Sequence, residues 1–299
     1  MKQSIWRHTL LGLSFIAGST LPATAQEPDP IVASYYSSTG SPDKVAAIPA
    51  EKLSHVLYAF LTLCGDHRTA GEIAAARVTK ACQGKPDFTA TLIGGPSETA
   101  ELAAFETLKE NHPHLKVLAS FGGWTLSAPF RDMAKTDAGR RHFVRTAIDV
   151  IKNNHAFDGI DIDWEYPGGG DNSSAPLGPE AAATERYVFR AMMRELRIGL
   201  DRLSVKTGRT YSLSAAVSGA ARQTASIDWA GTAPHMNMVF AMTYDFAVSD
   251  GTAAHHTNLY PVPGKTALSG AQMIDNLQTA GVPNRKLVLG AAFYGRGWN

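Results

Sequence analysis

An α/β fold is predicted for this chain: a (β/α)8 TIM-type barrel that is C-terminally incomplete, with seven strands present and the eighth missing. Three observations point there. Seven short apolar runs, rich in β-branched and aromatic residues, recur along the chain. Their near-continuous apolar character suits strands buried on both faces, which means parallel strands with helical crossovers. Amphipathic stretches lie between them, and 299 residues accommodate one barrel domain of about 250 residues with a leader.

Residues 1–25 read as an export leader. Lys2 and Arg7 give a basic start, residues 10–17 a short apolar run, and Ala23-Thr24-Ala25 a small-residue cleavage site before Gln26. A secreted protein cleaved after Ala25 is expected, with 26–299 as the barrel domain. Losing Lys2 and Arg7 leaves 26 basic against 27 acidic residues. That balance gives no electrostatic attraction for nucleic acid or an anionic membrane, and an uncharged substrate suits it better. With 44% hydrophobic and 18% charged residues the chain can bury a large core. No stretch in its body is long and apolar enough to span a bilayer.

The strands are expected over 31–36, 55–61, 115–121, 159–164, 211–217, 236–243 and 287–293. Residues 62–96, rich in Gly, Thr and Ala, read as an insertion over one end of the barrel. They hold both cysteines, Cys64 and Cys82, and in an exported protein these are expected to form a disulfide. Neither belongs to a CxxC pair, and His67 alone does not complete a metal ligand set. A helix is predicted over 138–152 from Phe143, Ala147, Val150 and Ile151 at helical spacing, ended by Asn153 and Asn154. A second, over 180–203, carries Tyr187, Met192, Leu196 and Leu200 as its core stripe. The eighth strand would need residues beyond Asn299. The chain therefore reads as a fragment, and one lacking that strand is expected to be unstable or weakly active.

The chemistry concentrates in Asp158-Gly159-Ile160-Asp161-Ile162-Asp163-Trp164-Glu165-Tyr166-Pro167. Side chains alternate along a strand, so Asp161, Asp163 and Glu165 share one face and Ile160, Ile162 and Trp164 the other. In a barrel the apolar set meets the helices and the acids point into the lumen. Glu165 comes last, at the C-terminal end where barrel enzymes keep their active sites. Confined carboxylates cannot all ionise cheaply, so they titrate as a set, and a Glu becomes a proton donor near neutral pH. A calcium loop counted from Asp161 fails at position six (Tyr166, not Gly) and position twelve (Asn172, not Glu). A structural network of buried acids is the other alternative. The adjacent His255 and His256 have no metal-ligand geometry.

The run Asp158–Glu165 resembles the D-x-x-D-x-D-x-E signature of family 18 glycoside hydrolases, the chitinase family. Ser120-Phe121-Gly122-Gly123-Trp124 resembles the family's S-x-G-G motif, Met242-Thr243-Tyr244-Asp245 its M-x-Y-D, and Tyr294-Gly295-Arg296-Gly297-Trp298 its Y-G-R-G-[WF]. Tyr35-Tyr36 and Tyr58-Ala59-Phe60 sit where the family has strand-one and strand-two aromatics. The resemblance runs from Ile31 to Asn299 and is greatest to bacterial secreted chitinases.

That resemblance implies retaining, endo-acting hydrolysis of β-1,4-linked N-acetylglucosamine polymers by substrate-assisted catalysis. It implies Glu165 as general acid and base, Asp163 as the group that orients the acetamido N–H, Asp161 as its proton-sharing partner, and Tyr244 as donor to the acetamido oxygen. Tyr36, Phe60, Gly122, Gly123, Trp124, Tyr166, Met242, Asp245 and Arg296 are the implied substrate-binding residues. Trp124 and Trp298 could stack on sugar faces, and Gly122 and Gly123 could let backbone approach the sugar. Arg296 could pair with a carboxylate of the cleft. Chitin or chitooligosaccharide is the implied partner, to a monomer without cofactor or metal. An endo-β-N-acetylglucosaminidase acting on N-glycans shares the acidic signature. A chitin-binding lectin is a third reading, although such proteins usually replace the terminal acid that Glu165 retains. The family also has a tryptophan on strand eight, and many members insert a small α+β domain before it; neither lies within 1–299.

Overall fold

Seven parallel strands run side by side in sequence order: β1 (Ala33–Ser37), β2 (His55–Leu63), β4 (Lys116–Gly122), β5 (Gly159–Asp163), β6 (Ser212–Val217), β7 (Met238–Ala241) and β8 (Leu287–Leu289). The short β3 (Ala90–Thr91) pairs antiparallel with the end of β2. The structure is a computed structural model and describes residues 30–297 apart from 39–40, 171–174, 248–252 and 264–267. The leader expected over 1–25 and Trp298 lie outside the described residues. β1 and β8 each have one strand partner among the described residues, so the sheet is an open arc, an incomplete (β/α)8 barrel.

The sheet separates two apolar layers. Outward residues of the strands, among them Val56, Val117, Ile160, Ile162, Leu213 and Val239, share one buried cluster with Phe143, Ala147 and Ile151 of helix Asp137–Asn153 and Met192, Leu196 and Leu200 of helix Pro179–Thr207. Inward residues Leu57, Leu118, Ala216, Met238 and Phe240 fill the lumen with Met242 and Val288 beside them. Parallel strands covered on both faces explain the apolar runs of the sequence.

The helix expected over 138–152 spans Asp137–Asn153, started by the Thr136 hydroxyl accepting from the Gly139 N–H. The second runs Pro179–Thr207 and ends on Gly208 in the left-handed region at φ 71°. Tyr187 is corrected: it is 60% exposed, because it sits one position away from the Met192–Leu196–Leu200 stripe. The last two strands are shorter than expected, and Phe293 lies past the end of β8, fully exposed.

The excursion after β2 holds helix Glu72–Cys82, closed by the Cys64–Cys82 disulfide with its Cα atoms 5.6 Å apart. It rests on the loop after β4: Thr69 Oγ1 donates to the Thr125 carbonyl at 2.9 Å, and Arg68 pairs with Asp132 at 3.0 Å. At the opposite, N-terminal end of the sheet, buried Asp158 joins three elements. It pairs with Lys109 at 2.6 Å and Arg209 at 2.9 Å and accepts the Val117 N–H at 2.9 Å. No helix among the described residues is long and apolar enough to cross a membrane.

Candidate active site

Register decides what surrounds each acid of β5. Ser120 on β4 and Ser214 on β6 lie directly opposite Asp161. Both are small and inward-facing, so both hydroxyls reach the same carboxylate: Ser120 Oγ donates to Oδ2 at 2.7 Å and Ser214 Oγ to Oδ1 at 2.6 Å. The Tyr35 hydroxyl also points at Oδ2, 3.4 Å away. Asp161 is fully buried, and burial pushes its carboxyl up to about 6 although these three donors favour the ionised form.

One lumen position higher stands Asp163, 4% exposed. Its Oδ1 has no hydrogen-bond partner among the described residues. Burial first, then the nearby charges of Glu165 and Asp161, raise its carboxyl well above the usual range. Both carboxyls of the Asp161–Asp163 pair are thus shifted toward the protonated form. Gly122 is paired with Asp163 across the strands at φ 114°, and a Cβ there would meet the Asp163 carbonyl oxygen at 2.2 Å. A Cβ on Gly123 would strike the Phe60 ring at 2.7 Å. Both glycines thus allow close packing beside the cleft, and neither is among the residues that line it.

Beyond Asp163 the chain leaves the ladder. Trp164 turns to the helices and stacks on Phe130, centroids 5.5 Å apart, whereas Glu165 faces the cleft. The Tyr166 hydroxyl is hydrogen-bonded to Glu165, and its ring meets Trp124 edge-on at 6.3 Å. The peptide bonds before Phe60 and Tyr166 are cis.

The cleft holds about 880 Å³ at the C-terminal ends of the strands. Asp163 and Glu165 form its floor, with Phe60, Trp124, Tyr166, Met242, Tyr244, Asp245 and Arg296 around them. Trp124 is 47% exposed. Burial, and then Asp163, raise the Tyr244 hydroxyl above its ordinary value, so it is a neutral donor at any physiological pH. Arg296 Nε donates to Asp245 Oδ1 at 3.1 Å and its Nη2 reaches the same oxygen, so Arg296 pairs with a carboxylate of the cleft.

Of the residues expected here, Tyr36 is elsewhere. Its hydroxyl donates to Glu101 Oε1 at 2.7 Å under the helix Pro96–Asn111, and its ring stacks with Tyr58. Adjacent strand residues face opposite sides, so the cleft receives Tyr35 instead. Ser120 was within the quoted S-x-G-G motif, but its bond to Asp161 and that of Ser214 needed the register. Ser218, Gln223, Phe246 and Met273, also on the cleft wall, carried no signal in the sequence.

A family model described as glycosyl hydrolases family 18 matches residues 31–299. A curated relative, chitinase A of Pseudoalteromonas piscicida, is 34% identical over 292 residues, covering 85% of this chain and 35% of its own. Chitinase A1 of Niallia circulans is 31% identical over 331 residues, covering 97% of this chain and 47% of its own. Among solved structures, a chitinase from Bacillus thuringiensis superposes with a TM-score of 0.77 at 27% identity, over 89% of this chain and 48% of its own. The chain spans between about a third and a half of the length of these relatives.

Proposed function

Because the chain belongs to glycosyl hydrolase family 18, we propose that it contributes a chitinase site, cleaving β-1,4-linked N-acetylglucosamine chains with retention. The observation that carries this reading is the placement of Glu165 at the open end of the sheet, above two buried aspartates and in one cleft with Tyr244. The cited relatives, named chitinases, support it.

In this reading the Glu165 carboxyl gives its proton to the glycosidic oxygen as the C1–O bond breaks. The acetamido carbonyl oxygen of the same sugar closes on C1, giving an oxazolinium. Asp163 Oδ1, the unpartnered oxygen at the cleft floor, takes the acetamido N–H. The proton shared by the aspartates passes to Asp161, whose burial favours the protonated form against the pull of its three hydroxyl donors, leaving Asp163 charged against the oxazolinium. Tyr244 donates to the acetamido oxygen. Water then attacks C1, its proton returns to Glu165, and the ring opens with net retention. Phe60, Trp124, Tyr166, Met242, Asp245 and Arg296 line the path of the sugar chain. Export through the 1–25 leader accords with the disulfide.

Proton NMR during hydrolysis of a chitin oligosaccharide tests the reading. The β-anomer is expected first. Initial formation of the α-anomer, or release of N-glycans with chitin untouched, would overturn it.

A further inference from the structure

Ser127 occupies the residue before helix Ala128–Met133, where a serine ordinarily accepts a hydrogen bond from that helix's first turn. Here its side chain makes no such bond. The hydroxyl, in a residue only 4% exposed, turns to the catalytic strand instead. Ser127 Oγ accepts the Glu165 N–H at 3.0 Å and lies 3.0 Å from the Asp163 carbonyl and 2.9 Å from the Gly123 carbonyl, to which its one proton can go. It thus contacts the chain on both sides of Trp164, just where β5 ends; the Asp163 carbonyl also accepts the Gly123 N–H at 2.8 Å.

A second grip lies downstream. Arg131, on the same short helix, donates from Nε to Glu185 Oε1 at 2.8 Å and from Nη2 to the Tyr166 carbonyl at 3.3 Å. Glu185 Oε2 accepts the Gly168 N–H at 2.7 Å. Both side chains of this pair are nearly buried, at 12% and 5% exposure. Ser127, Arg131 and Glu185 are all outside the cleft lining, so none is placed to touch a sugar. Beyond β5, the Glu165 N–H, the Tyr166 carbonyl and the Gly168 N–H are therefore each held by a side chain.

We propose that Ser127, seconded by the Arg131–Glu185 pair, is a positioning residue that sets the aim of the Glu165 carboxyl. This rests on the reading of Glu165 as proton donor. A misaimed acid slows departure of a leaving group that needs a proton, and leaves nearly untouched one that departs as a stable anion. A loss of folded protein slows both alike.

The test is kcat/KM in the full chain on two substrates, chitotetraose and the 2,4-dinitrophenyl glycoside of chitobiose. Ser127→Ala is expected to lose about tenfold on chitotetraose and less than about twofold on the dinitrophenyl glycoside. Ser127→Thr, which keeps the hydroxyl, is expected to recover most of the loss. Equal losses on both substrates would overturn the proposal and leave Ser127 a packing residue. Glu165→Gln is run on the same pair. If it too discriminates by leaving group while Ser127→Ala does not, the positioning role alone fails. If Glu165→Gln does not discriminate, the reading of Glu165 fails.

Discussion

Ser214 Oγ on β6 donates a 2.6 Å hydrogen bond to Asp161 Oδ1 on β5, its direct neighbour in the register. Such a bond favours the carboxylate, so removing it must raise an ionisation already pushed up to about 6 by burial. In Ser214→Ala the acid limb of the kcat/KM profile should move upward by roughly half to one pH unit. An unmoved or lowered limb would show that Asp161 does not govern it.

Asp163→Asn should be more stable than the parent above pH 6, although inactive. The raised carboxyl means that the folded chain retains a proton the unfolded chain releases. Stability therefore falls as pH rises from the ordinary carboxylate range through the folded-state value. Asparagine removes that loss, and Oδ1 has no partner to forfeit. The Tm difference between variant and parent should widen from pH 4 to pH 8; a constant difference would contradict the raised ionisation.

Asp158→Ala should act on stability alone. It leaves Lys109 and Arg209 without the carboxylate that both pair with at the closed end of the sheet. Deleting one member of such a buried cluster destabilises by about 3 kcal/mol, measurable as a lower urea midpoint. KM on chitin oligosaccharides should remain within about twofold, since the cleft lies at the other end of the strands.

Trp124→Ala should weaken substrate binding. Its half-exposed ring at the cleft edge offers a face to the C–H groups of a pyranose. Losing one such contact, about 1 kcal/mol, should raise KM roughly five- to tenfold with kcat little changed. An unchanged KM would reassign Trp124 to packing against Tyr166.

The sheet was legible because its strands are covered on both faces, which writes them into the sequence as apolar runs. Ile160, Ile162 and Trp164 alternating with Asp161 and Asp163 gave even the facing of β5, since period-two alternation fixes it without knowledge of neighbours. Motifs carried the cleft residues Trp124, Tyr244, Asp245 and Arg296. Pairings between distant strands were not legible. Nothing in Ser-Leu-Ser at 212–214 says that its second serine meets Asp161; only the β5–β6 register does. The choice between Tyr35 and Tyr36 failed for a related reason. Both are aromatic on an edge strand, and only the pairing of β1 with β2 and the bond from Tyr36 to Glu101 on the helix Pro96–Asn111 show which of them faces outward. Gly122 and Gly123 were found, but their close approach to the Asp163 carbonyl and the Phe60 ring is a tertiary fact.

Glu165→Gln tests the central claim most directly. It keeps the size and packing of the side chain and removes only the proton that the glycosidic oxygen must receive. Hydrolysis of chitotetraose, followed as kcat/KM at neutral pH, should fall by at least about a hundredfold, and by up to about ten-thousandfold, with the fold unchanged by circular dichroism. A variant that retains more than about a tenth of the parent rate would contradict the assignment of Glu165 as the acid at the mouth of the sheet.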